Sequence, residues 1–168
     1  MSYTSRALPT IIDIEASGFG ADSYPIEIGI VTANSQRYCR LIKPEPEWTQ
    51  WSDDAQECHG LSRDVLQTFG KSAKVVCCEL NDLLSGSTVY SDALSHDQRW
   101  LMKLFYTCKV VQRFHLSSIE SIASEEQLRN WDETKAHVIK RLNAPRHRAS
   151  HDALIIQQTF LETDLVAG

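Results

Sequence analysis

Asn34 and Ser35 are all that separates two runs of strand-forming residues, 26–33 and 36–43. A connection that short joins antiparallel neighbours, because a parallel crossover needs a dozen or more residues. These two runs are therefore expected to pair as a hairpin. In the first run Ile26, Ile28 and Ile30 fall on one face and Glu27, Gly29 and Val31 on the other, the period of two that a strand requires. Upstream, residues 8–14 are rich in β-branched side chains and read as another strand.

Pro44-Glu45-Pro46 breaks this pattern. The stretch to His59 reads as a loop with a short helix, and it carries Trp48 and Trp51, as packing or as substrate platforms. Residues 62–68 and 72–84 have helical spacing, with Val75, Val76, Leu80, Leu83 and Leu84 forming an apolar face in the second. Ser85-Gly86-Ser87 ends that helix, and Thr88-Val89-Tyr90 starts a strand. A helix over 97–106 follows, with Trp100, Leu101, Leu104 and Phe105 as its stripe. Cys108 to Gln112 reads as a fifth strand, 124–142 as one long amphipathic helix, and a last helix starts near Ser150. A hairpin followed by strands alternating with helices implies an α/β fold: a mixed five-stranded sheet flanked by helices. At 168 residues, with no repeat or linker, the chain is expected to form one domain over 1–168.

Composition narrows the classes. The chain is 42% hydrophobic, which excludes a disordered polymer. Its formal charge of −5 argues against holding nucleic acid by bulk positive charge. No apolar run approaches a membrane span, and Met1 to Pro9 lacks the layout of a signal peptide. The five cysteines are odd in number and contain no CxxC pair. They are expected to be small buried residues in a reducing cytoplasm.

The acids carry the chemical signal. Asp13 and Glu15 lie two apart on the first strand and share a face, while Ile12 and Ile14 point into the core. Two carboxylates so close repel each other, and a cation relieves that. Asp92, ending the fourth strand, or Asp97, opening the next helix, can reach the same strand ends. Asp152 falls in the first turn of the last helix, and His147 precedes it in a loop. Sheets of this kind place ligand sites at such strand ends. Hard divalent ions prefer carboxylate oxygens, and two of them roughly 4 Å apart can stabilise both oxygens of a phosphoryl displacement. An imidazole beside them can accept a proton near neutral pH.

At this point the sequence resembles the DEDDh 3′→5′ exonucleases, which have a ribonuclease H-like fold. Ile11-Ile12-Asp13-Ile14-Glu15-Ala16-Ser17-Gly18-Phe19 resembles their first motif, and Pro25-Ile26-Glu27-Ile28-Gly29-Ile30 their second strand. His59-Gly60-Leu61-Ser62 is similar to their His-Gly-Ile-Thr turn. Val89 to Asp97 with Trp100-Leu101 resembles the second acidic motif, and His147-Arg148-Ala149 with Asp152-Ala153 the third. The resemblance covers about residues 10–162. It implies that Asp13, Glu15, Asp97 and Asp152 hold two Mg²⁺ or Mn²⁺ ions and that His147 is the general base. It also implies that Ala16, Gly18, Phe19 and His59 contact the substrate. Asp97 is preferred over Asp92 because a helix with Trp100-Leu101 follows it at the family's offset. Asp92 and His96 stand where the family has Asn and an aromatic residue.

Five basic residues between Lys135 and Arg148 lead into His147, and from these Arg146 and Arg148 are expected at substrate phosphates. The implied activity is removal of nucleoside 5′-monophosphates from the 3′ end of single-stranded DNA or RNA, by a monomer or homodimer. Two other readings stand beside it. One is an inactive nucleic-acid-binding module of the same fold. The other is a metal phosphohydrolase built on His96-Asp97 and His151-Asp152, chemistry that usually sits on an all-helical fold.

Overall fold

The computed structural model describes residues 7–143 and 145–167, and the side chains of all of these except 166 and 167. Part of the Met1–Pro9 reading therefore lies outside the described residues. Among them, β1 (Ile11–Ala16), β2 (Pro25–Val31), β3 (Arg37–Leu41), β4 (Thr88–Ser91) and β5 (His115–Ser118) form one sheet in the order β3-β2-β1-β4-β5. β1 pairs with β2, and β2 with β3, antiparallel; β4 pairs with β1 and with β5 in parallel. The mixed five-stranded sheet is as expected, and β1 lies at its centre.

The hairpin between β2 and β3 turns over more residues than its sequence suggests. The Thr32 N–H donates to the Gln36 carbonyl at 2.9 Å and the Thr32 hydroxyl accepts from the Gln36 N–H at 3.0 Å. The ladder thus closes at Val31 and Arg37, and Ser35 takes a left-handed φ of 64° inside the turn.

The helices are α1 (Asp53–His59), α2 (Arg63–Phe69), α3 (Ala73–Leu84), α4 (Leu94–Cys108), α5 (Glu125–Arg129), α6 (Trp131–Leu142) and α7 (Ala149–Ala167). Ser52, Ser62 and Ser72 start the first three, each accepting a backbone N–H three residues on, which satisfies one of the amides a helix start leaves free.

Two expected elements differ. No strand forms over 108–112. Instead α4 continues to Cys108 and stops at Lys109, whose φ is 53°. The segment after it is held by a side chain in place of a ladder: Asn81 donates to the Val111 carbonyl and accepts the Arg113 N–H, both at 2.8 Å. β5 begins only at His115. The single helix over 124–142 is two helices. A capping box of Ser124 and Gln127 starts α5, and Asn130, at φ −96° and ψ 1°, closes it and precedes α6.

The two faces of the sheet bury different things. Ile12, Ile14, Ile26, Ile28 and Ile30 pack toward Val76, Leu80, Leu101 and Leu104 of α3 and α4. On the other face Ile11 and Val31 pack with Ile156 and Phe160 of α7. Asp13 and Glu15 share that second face, opposite Gly29 and Glu27 in the β1–β2 register. A Cβ on Gly29 would lie 2.1 Å from the Ala149 carbonyl carbon, so glycine alone lets α7 begin directly on the sheet. Of the cysteines only Cys77 is buried; Cys58 and Cys78 are exposed, against the expectation, and all five are free thiols. No helix among the described residues is long and apolar enough to cross a membrane.

Candidate active site

The acids come from three elements that meet at one end of β1. Asp13 and Glu15 project from β1, with a ladder irregularity just after Glu15. Asp97 sits in the first turn of α4 and Asp152 in the first turn of α7. With His147 they line one cavity of about 220 Å³. Ala16, Gly18, Phe19 and His59 also line it, as do His96 and Trp100. A larger groove of about 1010 Å³ runs beside the second half of α4, but Asp22 and Glu47 are its only carboxylates. The four acids and His147 are thus gathered in the smaller cavity. Asp92 is not in its wall and pairs at 2.6 Å with Lys135 of α6.

Each acid is fixed locally. Asp97 is 2% exposed and accepts the Ser91 hydroxyl at 2.5 Å. The same Ser91 oxygen accepts the Ala93 N–H at 2.8 Å, joining the end of β4 to the start of α4. Asp152 accepts the His147 N–H and the Arg146 Nε, each at 2.9 Å. His147 is exposed, and its backbone has a left-handed φ of 57°.

The electrostatics are those of buried carboxylates crowded together. Burial, then the charges of Asp97, Glu15 and Asp152, hold Asp13 well above the usual carboxylate range. Burial, then Asp152 and Glu27, push Glu15 up to about 7. Burial pushes Asp97 to about 8, with Asp92 and Glu15 adding to it and the Ser91 hydrogen bond opposing. All three groups hold protons in the folded chain that the unfolded chain has released. The stability these three groups contribute is thus fully present below about pH 4 and is lost as pH rises through 7 and 8. The metal-free protein should melt progressively lower from pH 5 to pH 8, at roughly 2–4 °C per kcal/mol lost. Millimolar Mn²⁺ should reverse the trend, and a melting temperature indifferent to both would refute it.

The donor set suits a hard divalent cation. One ligand atom each from Glu15, His147 and Asp152 lies within 4.8 Å of the others, and the crowded carboxylates gain from a positive charge among them. Opposite the acids, His59 is 5% exposed and burial holds its pKa below the ordinary value. Its Nδ1 accepts the Leu61 N–H at 3.0 Å, which leaves the ring proton on Nε2. That Nε2 is buried and has no hydrogen-bond partner among the described residues, so it is a neutral donor without an acceptor there.

Phe19 stands 74% exposed at the cavity mouth, 6.0 Å from the His96 ring and 6.5 Å from the Trp100 ring. α4 holds its loop: Arg99 donates to the Phe19 carbonyl at 2.9 Å and Trp100 Nε1 to the Ser23 hydroxyl at 2.8 Å. Trp48 is buried against Tyr24, and Trp51 rests edge-on against His59; neither lines the acidic cavity.

Arg146 and Arg148, expected at phosphates, do not line the cavity either. Both are held by carboxylates, Arg146 by Asp152 and Arg148 by Glu27. Sequence reasoning included Glu27, Ser91, His96 and Trp100 in its motifs but did not count them among the residues of this site. Glu27 had a signal, an acid on a strand too apolar to face water. Nor does His151 line the cavity, and the five-stranded sheet does not suit the all-helical dyad chemistry.

No protein-family model and no curated protein matches this sequence. Solved structures do match. Escherichia coli exonuclease I in complex with a dT13 oligonucleotide superposes with a TM-score of 0.71 at 12% identity, over 97% of this chain and 42% of that one. The zinc-bound form of the E. coli exonuclease I–ssDNA complex gives 0.70 at 10%, over 96% and 42%. Exonuclease I from Methylocaldum szegediense gives 0.63 at 11%, over 94% and 39%. The chain thus spans about two fifths of the length of these enzymes, and what it shares with them is the ribonuclease H-like fold.

Proposed function

We propose that this chain is a metal-dependent 3′→5′ exonuclease of the DEDDh type, acting on single-stranded DNA or RNA and releasing nucleoside 5′-monophosphates. One observation carries the reading: four carboxylates from β1, α4 and α7 converge with His147 on a single cavity beneath an exposed aromatic ring. A fold gains nothing from gathering mutually repelling acids unless cations hold them, and this speaks against an inactive binding module.

Asp13, Glu15, Asp97 and Asp152 would hold two Mg²⁺ or Mn²⁺ ions, which when bound supply charge stabilisation for phosphoryl displacement. His147, exposed at the rim, takes the proton of the attacking water. His59 offers its free Nε2–H to an oxygen of the terminal nucleotide. Phe19 stacks on the terminal base without reading its identity, and Ala16 and Gly18 let the strand approach the backbone. Arg146, paired here with Asp152, would be free to meet a phosphate if Asp152 held a cation. Phe19, exposed at the mouth, offers one ring face to one unpaired base, which favours a single strand. The oligonucleotides in the E. coli structures agree with this choice.

The test is polarity and product. With Mn²⁺, a 3′-labelled single strand should lose its label as the nucleoside 5′-monophosphate, while a 5′-labelled one shortens stepwise. Loss of the 5′ label first, or release of 3′-phosphates, would reject the reading.

A further inference from the structure

Glu27 lies in the middle of β2 and is 0% exposed. A carboxylate there is costly unless its oxygens are filled; the Cys39 thiol of β3 donates to Oε1 at 3.3 Å, and the other donors come from a segment 121 and 122 residues away. Arg148 Nη2 donates to Oε1 at 2.8 Å, and Arg148 Nε lies 3.1 and 3.2 Å from the two oxygens. The Ala149 N–H donates to Oε2 at 2.9 Å. One carboxylate thus grips both the side chain and the backbone that immediately follow His147.

His147 needs such a grip. Its φ of 57° lies in the left-handed region that few non-glycine residues adopt. On its far side the His147 N–H donates to Asp152 at 2.9 Å. Below it, Gly29 brings Ala149 onto the sheet so closely that a Cβ would collide. Simply starting α7 would not require this. A serine or aspartate next to the helix would cap it locally, and apolar residues of similar volume are often as stable as a buried ion pair.

We propose that Glu27 is a positioning residue for the reaction: through Arg148 and Ala149 it fixes the left-handed turn that presents His147 and the Asp152 carboxylate to the cavity. Arg148 accordingly serves this turn and not the substrate phosphates. The proposal rests on the exonuclease reading for its effect on turnover, but not for the clasp itself.

Two variants and two measurements test it. Glu27→Gln removes the charge and keeps the shape. The double variant Glu27→Met with Arg148→Met replaces the pair by apolar side chains of similar length, restoring stability without restoring the clasp. Both should lower kcat on a single-stranded oligonucleotide by about 100-fold, the cost of a misplacement near 1 Å, with KM within about threefold. Hydrogen exchange should accelerate at the amides of 147–149 and stay unchanged in the β1–β2 ladder. A double variant with wild-type kcat, or Glu27→Gln with wild-type protection at 147–149, overturns the proposal. A wild type without exonuclease activity would overturn the functional reading instead, and the exchange measurement would then decide the clasp alone.

Discussion

Replacing Asp13 with asparagine should lower the proposed exonuclease activity at least about a thousandfold, some 4 kcal/mol of barrier, and at the same time raise the melting temperature of the metal-free protein at pH 8. The two effects have one cause. Asp13 is on the central strand with Asp97, Glu15 and Asp152 all close enough to raise its pKa. An amide of the same shape spares metal-free folding the proton uptake that the raised pKa of Asp13 demands at pH 8, and it removes the anionic oxygen that metal binding exploits. Saturating Mn²⁺ should reverse the order of stability, because ligand bound to the native state adds about 2.7 kcal/mol at one hundred times its Kd. The wild type should gain that increment and the variant much less. Circular-dichroism melts with and without Mn²⁺, beside turnover on the same preparations, measure both. A variant that is inactive and also less stable without metal would make Asp13 a structural residue.

Asp97→Asn should also lower activity about a thousandfold, whereas Asp92→Ala should stay within about threefold of wild type. The carboxylates are only five residues apart, but their surroundings differ. Asp97 is buried, held by Ser91 and in the cavity wall. Asp92 forms a partly exposed ion pair with Lys135, whose side chain is 27% exposed. Exposed pairs contribute about 0–1 kcal/mol, so Asp92→Ala should cost no more than a few degrees of melting temperature. An active Asp97→Asn beside an inactive Asp92→Ala would move the second acidic position to the end of β4.

How much of this was legible depended on the range of the interaction. Asp13 and Glu15 could be placed on one face from the strand period alone. The hairpin followed from a short connection, although Thr32 and Gln36 and not Asn34 and Ser35 close it. Asp97 and Asp152 could be read from their positions at helix starts. What escaped was tertiary. Val110 and Val111 suggest a strand, but one more turn of α4 and the Asn81 side chain hold that segment apart from the ladder. Asn130 interrupts a helix with neither Gly nor Pro to announce it. Arg148 looked like a phosphate ligand because a basic run leads to His147, and only the folded chain brings Glu27 beneath it. The formal charge of −5 likewise looked unsuited to nucleic acid, yet four of those charges sit in one cavity where cations would offset them.

The most direct measurement is digestion of a 3′-labelled single-stranded oligonucleotide with Mn²⁺ and then with excess EDTA. Release of label with the metal, its abolition by the chelator and its recovery on adding Mn²⁺ back is the expected result. Undiminished cleavage in EDTA would contradict a site in which Asp13, Glu15, Asp97 and Asp152 act through bound cations.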